Sequence, residues 1–136
     1  MAPDAAELLK QKFGDDVRGL DLAPHVDERG RLVELDFSAV PFVVRRAFAV
    51  ADVPTGASRG GHRHHATEQL LLCLTGQVEV ELRRRSTRHV LELAAKSGAL
   101  YIAPGVWARQ RYVLEGTVLL VLASEPFDPE SYDDRY

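Results

Sequence analysis

The chain has 136 residues, room for one domain and for no second core of ordinary size. Hydrophobic residues make up 46% and charged residues 27%, a globular composition. A formal charge of −3 gives no broad attraction to nucleic acid or membrane, and no apolar run approaches the roughly 20 residues of a membrane span.

The first residues carry Asp4 and Glu7 and no apolar stretch of the signal-peptide kind. The single cysteine, Cys73, has no intrachain partner and sits within the apolar run Leu70–Leu74, where it reads as a small buried hydrophobe. A cytoplasmic protein is the expectation.

In chain order, Asp4 is placed to cap a short helix, with Glu7 as its capping-box partner and Gly14 to end it. Leu8, Leu9 and Phe13 would dock this helix. Residues 1–16 therefore read as a helical appendage, or a dimer contact, of one domain spanning 1–136. From about residue 31 the period changes to that of strands. Arg31–Phe37 alternates, with Val33, Leu35 and Phe37 on one face, and Phe42–Val50 forms a second run. A loop over 52–61, holding Pro54 and three glycines, leads into a histidine-rich segment. Gln69–Leu74 suits a strand buried on both faces. Gln77–Leu82 alternates, with Val78, Val80 and Leu82 inward and Gln77, Glu79 and Glu81 outward, before a charged turn at Arg83–Thr87. Strands follow at about Arg88–Leu93, Ala99–Ala103, Arg109–Leu114 and Thr117–Ser124, with Glu115-Gly116 as a hairpin turn. About eight short strands at this spacing predict an all-β sandwich or barrel. The acidic, aromatic tail 125–136 would pack aromatics across it.

The chemistry-bearing segment is Arg59-Gly60-Gly61-His62-Arg63-His64. Residues two apart on a strand share a face, so both imidazoles can enter one cavity. The glycines allow an unusual backbone path just before them. Gly56, His62-x-His64, Gln69 and Gly76 are spaced like the first cupin motif, and Gly98 with Pro104 like the second. No metal is expected. Gln69 stands where metal cupins carry glutamate, Ala108 stands where they carry histidine, and two histidines alone make an incomplete site. On the strand, Glu68 and His65 would point away from the pair.

The combined blocks carry a more specific likeness. They are Arg59–His64, Glu68-Gln69, Leu74-x-Gly76, Gly98-x-Leu100-Tyr101-Ile102-x-Pro104-x-Val106-Trp107, Val121–Ser124 and Asp128-x-Glu130-x-Tyr132. Over roughly residues 20–136 the chain resembles the sugar 3,4-ketoisomerases, metal-free cupins acting on dTDP-4-keto-6-deoxyglucose. The resemblance implies an all-β, cupin-type jelly-roll barrel with a short N-terminal helix, and a homodimer. It implies a cofactor-free enzyme that moves a keto group between C4 and C3 of a dTDP-linked 4-keto-6-deoxy sugar. His62 would be the base and His64 a second proton carrier or orienting group. Gln69 would hold an imidazole tautomer or a sugar oxygen. Arg46 and Arg59 would take the diphosphate, for which the arginine fork is suited. Tyr101, Trp107 and Arg109 are further substrate-binding candidates.

Two positions depart from the family. Phe48 stands where a tyrosine is usual, and Ala108 where a histidine is usual. Either the His62–His64 pair suffices, or Tyr112, His89 or Arg109 substitutes, or activity is altered or lost. A nucleotide-sugar epimerase and a non-catalytic nucleotide-sugar-binding cupin are the competing expectations.

Overall fold

A computed structural model describes all 136 residues. Helix α1 (Pro3–Phe13) has Ala2, not Asp4, at its N-cap, and no side chain caps it. Pro3 explains the shift: its fixed φ and missing N–H suit the first helical position, which starts the helix upstream of Asp4. Gly14 ends the helix with φ 62°. Leu9 and Phe13 are buried in the main core, whereas Leu8 stays exposed.

The short strand β1 (Val17–Leu20) has no legible alternation; its pairing with Ala99–Ile102 defines it. β2 (His25–Asp27) and β3 (Gly30–Leu32) form a hairpin that pairs with no other strand. The strand expected through Phe37 stops at Leu32. The Asp36 carboxylate accepts from the Ser38 N–H and turns the chain into a single 3-10 turn, Phe37–Ala39. Val33 and Leu35 nevertheless pack inward, and Phe37 is exposed. β4 (Arg46–Val50) covers only the second half of the run expected from Phe42.

The remaining strands are β5 (Ser58–His64), β6 (Gln69–Thr75), β7 (Gln77–Arg84), β8 (Thr87–Ala94), β9 (Ala99–Ile102), β10 (Trp107–Tyr112), β11 (Val118–Ala123) and β12 (Tyr132–Asp133). The turn expected at Arg83–Thr87 shrinks to Arg85-Ser86, with Arg85 at φ 57°. Strand β10 begins two residues earlier than expected, which brings Ala108 into the ladder.

Two five-stranded antiparallel sheets result, in the orders β1-β9-β6-β11-β4 and β12-β5-β10-β7-β8. They face each other without closing into a continuous barrel: β4 has no partner beyond β11, and β5 has only the two-residue β12 outside it. Between the sheets lies the main core, where Val78, Val80 and Leu82 are fully buried as the alternation predicts. Glu81 faces the opposite way, yet it is also buried, beneath Arg83, Arg88 and Arg109. A second cluster, around Leu70, Leu72, Tyr101 and Leu122, lies on the outer face of the first sheet under Val33, Leu35, Phe42 and Val44.

Candidate functional site

The unclosed side of the sandwich holds a cavity of about 370 Å³ between β4 and β5. Its apolar lining includes Phe48, Val50, Leu71, Leu119 and Val121, and β5 contributes Arg59, His62 and His64 to its polar lining. The sequence builds that strand in an unusual way. Gly60 and Gly61 have φ of 81° and 82°, a region that suits glycine. Together they form a bulge, so that His62 pairs with Ala108 and Gly60 with Arg109. A Cβ at Gly60 would come within 2.5 Å of Gln110 Oε1 and 3.1 Å of the Ala108 carbonyl oxygen. The bulge sets the facing of everything after it, and His62 and His64 both line the cavity.

Tyr132 of β12 packs on this pair. Its ring centroid lies 4.5 Å from that of His62 and 5.5 Å from that of His64. The tail is held there by backbone pairing of Tyr132 with His64 and of Asp133 with Arg63. The Asp133 carboxylate also accepts from Arg63 Nη2 at 2.8 Å and lies 2.7 Å from His65 Nε2. Those hydrogen bonds, the Arg63 one foremost, hold its carboxyl well below the usual carboxylate range. His65 is thus occupied outside the cavity, as its place on the strand predicts.

Burial pushes the His64 imidazole down to a pKa of about 4, helped by the charges of His62, Arg46 and His65. His64 is therefore neutral at pH 7, and its buried Nδ1 has no hydrogen-bond partner in the protein. Arg46 and Arg59 both reach the cavity, and neither forms an ion pair with a carboxylate. Arg46 lies instead over the rings of Phe48 and Phe127, 4.6 and 5.0 Å from their centroids. Gln69 lines the same space.

The fold thus brings together Arg46, Arg59, His62, His64 and Gln69. It does not bring Tyr101, Trp107 or Arg109 to them. Tyr101 is buried in the outer cluster, donates to Glu68 Oε1 at 2.6 Å and lies under Arg18. Trp107 packs against Tyr136, 5.4 Å between centroids, and Arg109 is paired with Glu81 at 2.9 Å. Of the groups that could stand in at Phe48 and Ala108, His89 is engaged with Lys12 at 3.2 Å, away from the cavity; Tyr112 lines it. Sequence reasoning did not assign Gln110, Thr67, Phe127 or Tyr132 to the site. Gln110 and Tyr112 share the inward alternation of β10 with Ala108, a signal that was available once the strand start was known.

No three histidine, cysteine, aspartate or glutamate side chains come together in a way that could hold a metal ion. The two cavity histidines with Gln69 are a poor set for a transition metal.

The family model described as "FdtA: WxcM-like, C-terminal" matches residues 15–136. A TDP-4-oxo-6-deoxy-alpha-D-glucose-3,4-oxoisomerase of Aneurinibacillus thermoaerophilus is 31% identical over 112 residues, 82% of this chain and 81% of that one. The crystal structure of QdtA, a sugar 3,4-ketoisomerase of Thermoanaerobacterium thermosaccharolyticum in complex with TDP, is 34% identical. It superposes with a TM-score of 0.83 over 89% of each chain. A histidine-to-asparagine variant of that enzyme, in complex with TDP-4-keto-6-deoxyglucose, is 33% identical and gives the same TM-score over 89% of this chain and 88% of that one.

Proposed function

Because the chain belongs to the FdtA, WxcM-like C-terminal family, we propose that it is an isomerase of a dTDP-linked 4-keto-6-deoxyhexose, moving the keto group between C4 and C3 in deoxysugar biosynthesis. The observation that carries this reading is the His62–His64 pair, which faces one apolar-walled cavity flanked by two arginines without carboxylate partners.

The chemistry needs a base that can also return a proton, and an imidazole titrates in the right range. His62 takes the proton from C3, and the C3–H electron pair forms the C3=C4 bond as charge moves onto O4. O4 gains a proton, O3 loses one, C4 receives a proton, and the double bond becomes the C3 ketone. Atoms and electrons balance with no redox partner. Neutral His64 can donate to or accept from a sugar oxygen beside the base. Tyr132, packed on both imidazoles, holds them in place and helps keep water from the enediolate. Arg46 and Arg59 receive the diphosphate, and Gln69 a sugar oxygen or an imidazole.

The reading includes three further parts. The reaction is metal-free, supported by the weak donor set. The protein works in the cytoplasm, in keeping with a nucleotide-linked substrate; no helix is long and apolar enough to cross a membrane. The enzyme is a homodimer, supported by the β2–β3 hairpin, whose residues are exposed and which pairs with no strand of its own chain.

The test is incubation with dTDP-4-keto-6-deoxyglucose in deuterated water, before and after chelation and dialysis. Deuterium at C3 of the substrate and appearance of the 3-keto product, both surviving chelation, are expected. Inversion at a ring carbon without keto transfer would indicate an epimerase. Tight binding without exchange would indicate a binding protein.

A further inference from the structure

Two buried side-chain polar atoms on the cavity residues lack a protein partner: His64 Nδ1 and the hydroxyl of Tyr112. The first belongs to the proposed proton chemistry. The second has no role in it. Tyr112 ends β10 on the same inward alternation as Ala108, and its residue is 1% exposed. The ring is part of the main core, surrounded by apolar side chains. A phenylalanine would fill that place without leaving a buried hydroxyl unsatisfied, which ordinarily costs stability. Phe48, on the facing sheet, lines the same cavity and offers no donor. Arg59 lines the same cavity.

We propose that Tyr112 is a substrate-contacting residue whose hydroxyl donates a hydrogen bond to an oxygen of the bound hexose. The inference rests on the nucleotide-sugar reading above and adds a contact to it. Burial pushes the Tyr112 phenol up to about 12, which keeps it protonated, and hence a donor, throughout the neutral range. The donor has no internal partner to give up, and because it is buried just beneath the cavity wall, a ligand oxygen meets it as the wall yields on binding. The same feature explains why the free protein tolerates an unsatisfied group: function is a known reason to keep one.

Tyr112→Phe tests this, because it removes one oxygen and keeps the ring. Four measurements are made: the melting temperature of the free protein, the affinity for TDP, and the affinity and C3-exchange kinetics with dTDP-4-keto-6-deoxyglucose. The melting temperature is expected to stay level or rise, since a buried unpaired hydroxyl is removed. TDP affinity is expected to stay within about twofold, while affinity or kcat/KM for the sugar nucleotide falls about threefold to tenfold or more, the scale of one hydrogen bond. Equal losses for TDP and for the sugar nucleotide would overturn the proposal by putting the contact on the nucleotide. Unchanged values for both would overturn it outright, as would a marked loss of melting temperature that accounts for the lost activity. If the wild-type protein shows no exchange, the isomerase reading fails while the binding arms still decide the Tyr112 contact.

Discussion

Ala108 lies directly opposite His62 in the β5–β10 ladder, and both line the cavity. The side chain opposite the proposed base is therefore a single methyl group. Ala108→Leu would extend a branched side chain into the cavity. Ala108 borders the cavity and also belongs to the main core, so overpacking should lower the melting temperature by a few degrees without unfolding the protein. Turnover should fall at least about tenfold, since small misplacements of a reacting group are costly. Steady-state kinetics with a thermal melt reads both. An active Ala108→Leu enzyme would mean that the sugar does not lie beside His62.

His62→Asn removes the proposed base while keeping a polar side chain. C3 exchange should drop by at least about 10², the usual contribution of a positioned general base. TDP binding should remain near wild type. Wild-type exchange in this variant would refute the mechanism while leaving the fold untouched.

Arg46 and Arg59 are the cavity's cations without carboxylate partners. Replacing either with Ala should weaken TDP binding by about 1–3 kcal/mol, the scale of a charged hydrogen bond. Arg46→Ala also uncovers the faces of Phe48 and Phe127, so a melt should accompany it. Titration calorimetry supplies the affinities. Unaltered TDP binding in both variants would place the diphosphate elsewhere.

The depressed pKa of His64, about 4 against an ordinary 6.5, makes a stability prediction. Between these values the unfolded chain binds a proton at this site and the folded chain does not, so stability rises with pH across the window. The contribution is fully present above about pH 6.5 and is lost as pH falls toward 4. Allowing for the partial exposure of the ring, it amounts to about 1–3 kcal/mol. Urea denaturation at pH 4.5 and 7.5 should show a pH difference in the wild type that is smaller in His64→Gln by about that amount. The Asp133 carboxyl, also depressed, acts below this window as its pair with Arg63 is protonated away, and it remains in both proteins. Identical pH slopes would show that His64 is well solvated.

The exposed apolar residues Val26 on β2, Leu32 on β3, Phe37 and Val43 belong to one stretch of chain, and the hairpin in it pairs with nothing else. Val26→Glu with Leu32→Glu should convert a dimer into a folded monomer. Sedimentation at micromolar concentration with circular dichroism reads this outcome. A wild-type protein that already sediments as a monomer would remove the dimer from the proposal.

Local rules made some of this molecule legible. Period-two alternation was enough to bury Val78, Val80 and Leu82, and to turn His62 and His64 to one face while His65 turned away. The glycines before them announced a departure from regular backbone, found as the bulge at Gly60-Gly61. Alternation failed where a local polar bond outweighed it, as Asp36 did in ending the strand expected through Phe37. It was also silent on β1, whose four residues become a strand only by pairing with β9.

Everything that depends on which distant segment lies alongside had to wait for the tertiary structure. The Ala108–His62 pairing joins residues 46 positions apart in the sequence, and Tyr132 reaches the same histidines from the tail. Tyr101 and Arg109 carry groups suited to a substrate, but the pairing of strands gives them to Glu68 and Glu81. Residue type and spacing determine what a side chain can do and which face of its own strand it takes. The partner it meets is decided by long-range packing, in which burial of apolar surface selects the sheet order and each polar group then bonds with whatever neighbour that order supplies.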